Sequence, residues 1–279
     1  MLDLNQSART IVTDSCEARR FWSVGLTVLP RLPFAAASLG SSAALKYCGT
    51  RRRDSEVGVS KPRLRLYTDR LSPNASFGPL SRANRAIYVC EGKAVVRCAG
   101  ITASLAENCV WHGSADTTIT AGPTGARLLR FELSHEETKS ASGADVKSEL
   151  TLQAEPRLEP GVDYLMRCDR VDFPPGGVAF THTHKGSGIR CLQSGRIRIE
   201  TQGHDFWVEP GGAWFETGID PVFAETRKDG PSHFVRVMIL PRSIRGKSSI
   251  TYVKPEDQAK PKTQKYQVFV DEPIEVNGF

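Results

Sequence analysis

From about residue 63 onward, the chain alternates short apolar runs with turn residues. Examples of these runs are "LRLY", "AVVRCA", "RIRIET" and "HFVRVMIL", and clusters of Gly, Pro, Asn or Asp separate them at intervals of 8–12 residues. Many short β-forming runs with almost no helical period are typical of β-sandwiches and β-barrels. The pattern therefore predicts an all-β fold.

The β-forming part of the chain repeats itself. "YTDRLSP" is followed 100 residues later by "RCDRVDFPP", and "RAIYVCEGKAVVRC" is followed 103 residues later by "GIRCLQSGRIRIET". Two further pairs, "VWHGSADTTITA" with "WFETGIDPVFAE" and "RLLRFEL" with "HFVRVMI", are 104 and 106 residues apart. Chance similarity between strands would not keep four blocks in the same order, so the repeats predict a duplicated domain.

The repeats and the composition divide the chain into five parts. We expect a poorly ordered basic extension (1–62), a first β unit (63–133), a polar linker (134–160), a second β unit (161–245) and a tail (246–279). The extension has nine Lys or Arg against five Asp or Glu. Acidic residues occupy the place of a secretory n-region, so a transit peptide fits slightly better and a plain extension fits best. The tail segment "YQVFVDEPIEV" is expected to return as an extra strand.

Charge, hydropathy and cysteine spacing exclude several classes of protein. The net charge is +6, mostly in the extension, which leaves no basic face for nucleic acid. No apolar run is long enough for a membrane helix. Seven cysteines without a CxxC pair indicate reduced thiols in a cytoplasmic protein. We therefore expect a small-molecule ligand and neither a nucleic-acid nor a membrane partner.

Two of the six histidines lie two residues apart in "AFTHTHKGSGIRCLQSGRIRI". Alternate side chains of a strand share a face, so His182 and His184 are expected to face one side together with Phe180. Two imidazoles on one face can converge on a metal ion. The alternative is a histidine pair on the rim or one satisfied by hydrogen bonds in the core.

The spacing around these histidines resembles the first motif of the cupin superfamily. Gly176 is followed after five residues by His182 and His184, and then by Gly188 and Gly195 at the motif spacing. Gly188 stands where the family usually has a glutamate ligand. The resemblance covers about residues 63–245 and implies two tandem β-jelly-roll (cupin) barrels.

The second cupin motif is reduced to its opening glycine. Starting from Gly211, the family's Pro, Gly and His positions are occupied by Thr217, Ile219 and Val222. Two of the usual four metal ligands are therefore missing from the second copy.

Glu216 is the candidate that could complete the ligand set. In cupins with a "YE" or "FE" pair before the second-motif turn, the glutamate tends to face the barrel interior. The resemblance thus implies a metal site of His182, His184 and Glu216, a set suited to Fe, Mn, Ni or Zn. His233 and His204 are further candidates, of which His204 lies in a predicted hairpin turn.

Arg190 shares the strand parity of Gly188 and is therefore expected to point into the barrel. A buried arginine needs a partner, which would be Glu216 or a carboxylate or enolate of a substrate. The first copy has no HxH pair, and only His112 falls near the position of Glu216. We interpret that copy as metal-free and structural; the alternative is a degenerate ligand pocket.

The resemblance implies a function for the C-terminal barrel. The first hypothesis is a metal-dependent dioxygenase acting on a small molecule, with Arg190 and Glu216 as catalytic residues. The second is a non-catalytic sensor or small-molecule binding cupin. A homodimer is expected in either case.

Overall fold

The computed structural model describes residues 61–135 and 145–276. The predicted extension lies outside the described residues except for Lys61 and Pro62. The first unit consists of strands β1 (Arg63–Leu71), β2 (Ser76–Leu80), β3 (Asn84–Cys98), β4 (Ile101–Leu105), β5 (Val110–Gly113), β6 (Thr117–Ser134) and β7 (Val146–Ala154). The second unit consists of β8 (Tyr164–Phe173), β9 (Val178–His184), β10 (Ser187–Ser194), β11 (Ile197–Thr201), β12 (His204–Val208), β13 (Ala213–Glu216), β14 (Val222–Thr226), β15 (Ser232–Pro241), β16 (Ile250–Tyr252) and β17 (Lys265–Ile274).

Helical structure is minor, so the predicted all-β fold is confirmed. The described residues form one short α-helix, α1 (Pro255–Ala259), and one 3-10 turn (Arg242–Ile244). Neither is long and apolar enough to cross a membrane.

The first unit is a single seven-stranded sheet that curls around its own core. The strand order is β4-β3-β6-β1-β7, with β2 paired to β6 and β5 paired to β3. Strands β3 and β6 are the longest of this sheet, and the register between them shifts next to Gly92. The shift allows each strand to contribute one half to each of two walls around the core. A Cβ on Gly92 would lie 2.2 Å from the Gly125 carbonyl oxygen, so only glycine allows this close approach.

The second unit is a sandwich of two five-stranded antiparallel sheets. One sheet has the order β13-β10-β15-β8-β17 and the other has the order β12-β11-β14-β9-β16. The histidine strand β9 and the arginine strand β10 thus belong to opposite sheets. Side chains that point inward from both strands meet in the barrel interior.

Three main hydrophobic cores organise the two units. One lies inside the first unit around Trp111 and Val96. Another lies inside the second unit around Trp214 and Phe234. The third contains residues of both units, such as Phe131 and Val237, and therefore joins the outer faces of their sheets.

Two predicted connecting segments contribute strands. Val146–Ala154 falls in the predicted linker 134–160, but it forms β7 and pairs with β1. Its alternating polar and apolar residues suit an edge strand that is buried on one side only. The tail supplies β16, which pairs with β9, and β17, which pairs with β8. The second unit therefore extends beyond residue 245.

Candidate functional site

The two histidines of β9 face the interior of the second barrel. His182 is 1% exposed and His184 is 6% exposed. A register shift between β9 and β14 inserts an extra residue just before His182. Phe180 therefore does not share their face, contrary to the simple alternation expected from the sequence; its ring lies 4.7 Å from the Lys260 ammonium. The bulge aims the imidazoles inward and leaves Phe180 half-buried.

His182 is held as a neutral imidazole with a defined tautomer. Its Nδ1 contacts the Phe180 carbonyl oxygen, which can only accept a hydrogen bond, so Nδ1 carries the proton and Nε2 has the lone pair. Burial lowers the pKa of His182 to about 3, and the charges of Arg236 and Arg190 act in the same direction. Nε2 is buried and has no hydrogen-bonding partner among the described residues.

His184 contacts both Ser249 of the tail and Glu216, the carboxylate predicted as a metal ligand. Its Nδ1 lies 2.9 Å from the Ser249 hydroxyl, and its Nε2 lies 3.2 Å from Glu216 Oε2. If Nδ1 donates to the Ser249 hydroxyl, Nε2 becomes available as a ligand, as in many metal-binding histidines. The rings of His182 and His184 are 5.7 Å apart, centroid to centroid.

Arg190 is the second partner of Glu216. Glu216 and Gly188 are cross-strand neighbours on β13 and β10, and the fully buried Arg190 guanidinium contacts Glu216 Oε2 through Nη2. Arg190 Nη1 donates to the Gly188 carbonyl at 2.8 Å. Burial and the nearby Arg236 charge lower the pKa of Arg190, and the Asp169 charge opposes them. The contact with Glu216 also favours the charged form.

A second buried arginine lies directly opposite the first. Arg190 on β10 pairs in register with Arg236 on β15. Arg236 donates two hydrogen bonds, of 2.6 and 2.9 Å, to Asp169. Each arginine therefore has its own carboxylate, which is what two like charges facing each other require.

The three predicted ligands fit a divalent metal in chemistry but not in their present arrangement. Two imidazole nitrogens and a carboxylate form a suitable donor set. Within residues 61–135 and 145–276, however, no three His, Cys, Asp or Glu side chains are close enough to hold a metal ion. Glu216 instead contacts Arg190 and His184, while His182 Nε2 has no hydrogen-bonding partner in the described part of the chain.

The remaining histidine candidates lie away from this site. His204 is exposed at the start of β12. His233 is half-buried, with its Nδ1 2.5 Å from the Ser194 hydroxyl, in a cleft that also contains Tyr88 of the first unit. His112 is buried on the face of β5 that Val110 shares, towards the core between the units. Burial lowers the pKa of His112 to about 4.

The position at which the sequence resemblance implies a further histidine ligand is apolar. Val222 stands there, is buried and pairs in register with His182. The inner wall there supplies packing rather than a metal ligand.

Four residues near the site were not identified from the sequence. Asp169 and Arg236 lie in repeated blocks that match Asp69 and Arg130 of the first copy, so the repeats contained a signal for them. Ser249 and Tyr252 had none, because their contribution depends on the tail folding back onto β9. The Tyr252 ring lies 5.9 Å from that of His182.

Two surface clefts lie elsewhere and do not include the histidine pair or Arg190. The first has a volume of about 270 Å³ and is lined by Lys61, Pro62, Glu155, Pro156, Arg157, Leu158, Ser187 and Thr217. The second has a volume of about 250 Å³ and is lined by Tyr88, Cys90, Glu91, Glu107, Asn108, Arg127, Arg170, Gln193 and His233. The buried polar groups, rather than a large cleft, identify the candidate site.

Comparisons with known proteins give a structural likeness. No protein-family profile matches the chain, and no curated protein matches it. A deletion mutant of the oxalate decarboxylase OxdC from Bacillus subtilis superposes with a TM-score of 0.53 at 13% identity, covering 71% of this chain and 73% of that chain. A formate complex of oxalate decarboxylase from Lactobacillus farciminis gives a TM-score of 0.53 at 12% identity, covering 71% and 82%. This chain therefore has the cupin-barrel fold of these oxalate decarboxylases.

Proposed function

We propose that the second barrel binds a divalent metal through His182, His184 and Glu216, together with a small anionic molecule. The observation that carries the proposal is His182 Nε2, a buried lone pair with no partner among the described residues. Leaving a buried polar atom unsatisfied costs roughly 1–3 kcal/mol. A metal ion would satisfy it and would use the tautomer that the Phe180 carbonyl already selects.

The charges around the site favour an anion as the second ligand. The interior contains two arginines, Arg190 and Arg236, and two carboxylates, Glu216 and Asp169. A divalent ion added to this balanced set leaves two uncompensated positive charges. A small carboxylate or enolate would compensate them, and Arg190 could bind it in a bidentate manner.

A metal in such a site supplies a Lewis acid with open coordination positions. The chain's own residues orient the ligand: Arg190 by charge, His182 and His184 from one wall, and the apolar Val222 by excluding water. The reaction we propose to test is dioxygenation of a small diketone or catechol. Oxalate and formate are included as probes because the structural neighbours are named for them.

Metal content tests the proposal. Protein purified with Mn²⁺ or Fe²⁺ is expected to hold about one metal per chain, and His182→Ala should reduce this to background with the fold intact. Glu216→Gln should weaken metal binding, while the exposed His204→Ala serves as the matched control. Full occupancy in a His182→Ala, His184→Ala double variant would contradict the site.

A non-catalytic, metal-free binding barrel is the second candidate. The contact between Arg190 and Glu216 favours it, because an internal cation already neutralises the carboxylate. Purified protein without metal that binds oxalate or formate, and shows no O2 uptake with diketones or catechols, would favour this function over the first.

A further inference from the structure

Gly188 creates the space in which the Arg190 guanidinium lies. A Cβ at Gly188 would be 3.0 Å from Arg190 Nη1 and 2.8 Å from Met238 Cγ. It would also be 2.4 Å from the Val237 carbonyl oxygen, which belongs to the neighbouring strand and cannot move alone. The glycine thus lets the arginine fold back against β10, where Nη1 donates to the Gly188 carbonyl.

The neighbouring charges direct this guanidinium to Glu216. Arg236 lies opposite Arg190 in register and is already held by two hydrogen bonds to Asp169. Repulsion from Arg236 and attraction to Glu216 therefore act in the same direction. The Glu216 oxygen that receives Arg190 is also the one nearest His184 Nε2.

The first barrel has an arginine at the position that Gly188 occupies in the second barrel. Arg85 aligns with Gly188 in the repeat and is opposite Glu132 in the sheet, as Gly188 is opposite Met238. Its Nε lies 2.5 Å from Glu132. In both barrels, therefore, a buried guanidinium contacts an inward carboxylate.

We propose that Arg190 is the resident cation of the second barrel, which occupies the space left by Gly188 and competes with a divalent metal for Glu216. The inference rests on the proposed function, since it concerns the same ligands. It assigns Arg190 a role that sets metal affinity: the metal binds tightly only when the guanidinium leaves Glu216, as it would when an anionic ligand takes it up.

The test measures Co²⁺ and Mn²⁺ affinity in the full chain, with the visible absorption of Co²⁺ as a report on its coordination. Arg190→Gln removes the charge but keeps a hydrogen-bond donor, and it should bind both metals at least about tenfold more tightly than the parent. Arg190→Met should do the same if it folds; the glutamine variant keeps the test valid if it does not. Adding Glu216→Gln to either variant should abolish the gain.

Arg85→Met is the matched control, because it breaks the equivalent buried pair in the barrel without histidines. Its metal affinity should equal that of the parent. If the parent binds metal and Arg190→Gln binds it no more tightly, the inference is wrong and the proposed function stands. If only the Arg190 variants bind metal, the inference holds and the parent is not a metal protein. No binding by any variant would contradict both.

Discussion

Both barrel interiors contain buried arginines paired with carboxylates, but the hydrogen bonding of these groups is complete only in the first barrel. In the first barrel, Glu132 accepts from Arg85 Nε at 2.5 Å and from Arg130 Nη1 at 2.7 Å. Asp69 accepts two more hydrogen bonds from Arg130, of 2.6 and 3.1 Å. Arg85 also donates to Thr117 at 3.0 Å. No side-chain polar atom of these four charged residues is left without a partner.

In the second barrel, the polar network is open. The Arg236–Asp169 pair repeats the Arg130–Asp69 pair, but Arg236 Nη1 has no hydrogen-bonding partner among the described residues. The same is true of His182 Nε2 and of Glu216 Oε1. A closed network stabilises one structure, whereas an open one leaves buried groups able to bind a ligand. The difference favours the second barrel as the candidate site.

The largest expected effect follows from opening the closed network. Glu132→Ala leaves two buried arginines sharing one carboxylate, so it should lower the free energy of unfolding by about 3–5 kcal/mol. Urea denaturation measures this loss. Glu91→Ala removes an exposed pair with Arg127 and should cost less than about 1 kcal/mol. Equal losses in the two variants would contradict the importance of the network.

The second prediction compares the buried histidines of the two units. His112 has a folded pKa of about 4 because it is buried, below its ordinary value of 6.5. Between pH 6.5 and pH 4, the unfolded chain binds a proton at His112 and the folded chain does not. The free energy of unfolding therefore decreases as the pH falls from 6.5 towards 4. His112→Leu should make the protein about 2–3 kcal/mol more stable than the parent at pH 4. Metal content should not change.

Unfolding curves at pH 7 and pH 4 measure this difference. If both proteins lose the same free energy of unfolding between pH 7 and pH 4, His112 becomes protonated in the folded protein without opening the core between the units. A change in metal content would contradict its separation from the site.

Much of this comparison could be predicted from the sequence, because it depends on repetition and alternation. The order of the repeated blocks predicted two β units, and the parity of Gly188 and Arg190 predicted an inward arginine with Glu216 as one possible partner. The bulge before His182 was not predictable, since no glycine marks an inserted residue in Val178–His184. Ser249 and β7 depend on which strand edge a polar segment reaches, which is decided by tertiary packing.

The third prediction replaces both members of an ion pair rather than one. Arg190→Met with Glu216→Leu removes a pair in the open network, and it should leave stability unchanged or raise it by about 1–2 kcal/mol. Arg85→Met with Glu132→Leu should lower it by about 1–3 kcal/mol, because Arg130 and Thr117 then lose hydrogen bonds. The same sign in both unfolding experiments would contradict the distinction between the barrels.

The smallest expected effect comes from adding a ligand where the second barrel lacks one. Val222 is buried beside His182 at the family's histidine position, so Val222→His should add a third imidazole. We expect Co²⁺ and Mn²⁺ to bind about tenfold more tightly, which corresponds to about 1.4 kcal/mol. Val222→Leu is the control, because it also enlarges the side chain at this buried position but adds no ligand. In the first barrel Thr117 pairs with Cys98 as Val222 pairs with Thr201, and Pro79 and Ser81 replace the histidine pair. Thr117→His is therefore the equivalent change and should give no metal site. Equal Co²⁺ affinities in Val222→His and Val222→Leu would show that this position does not face the metal ligands.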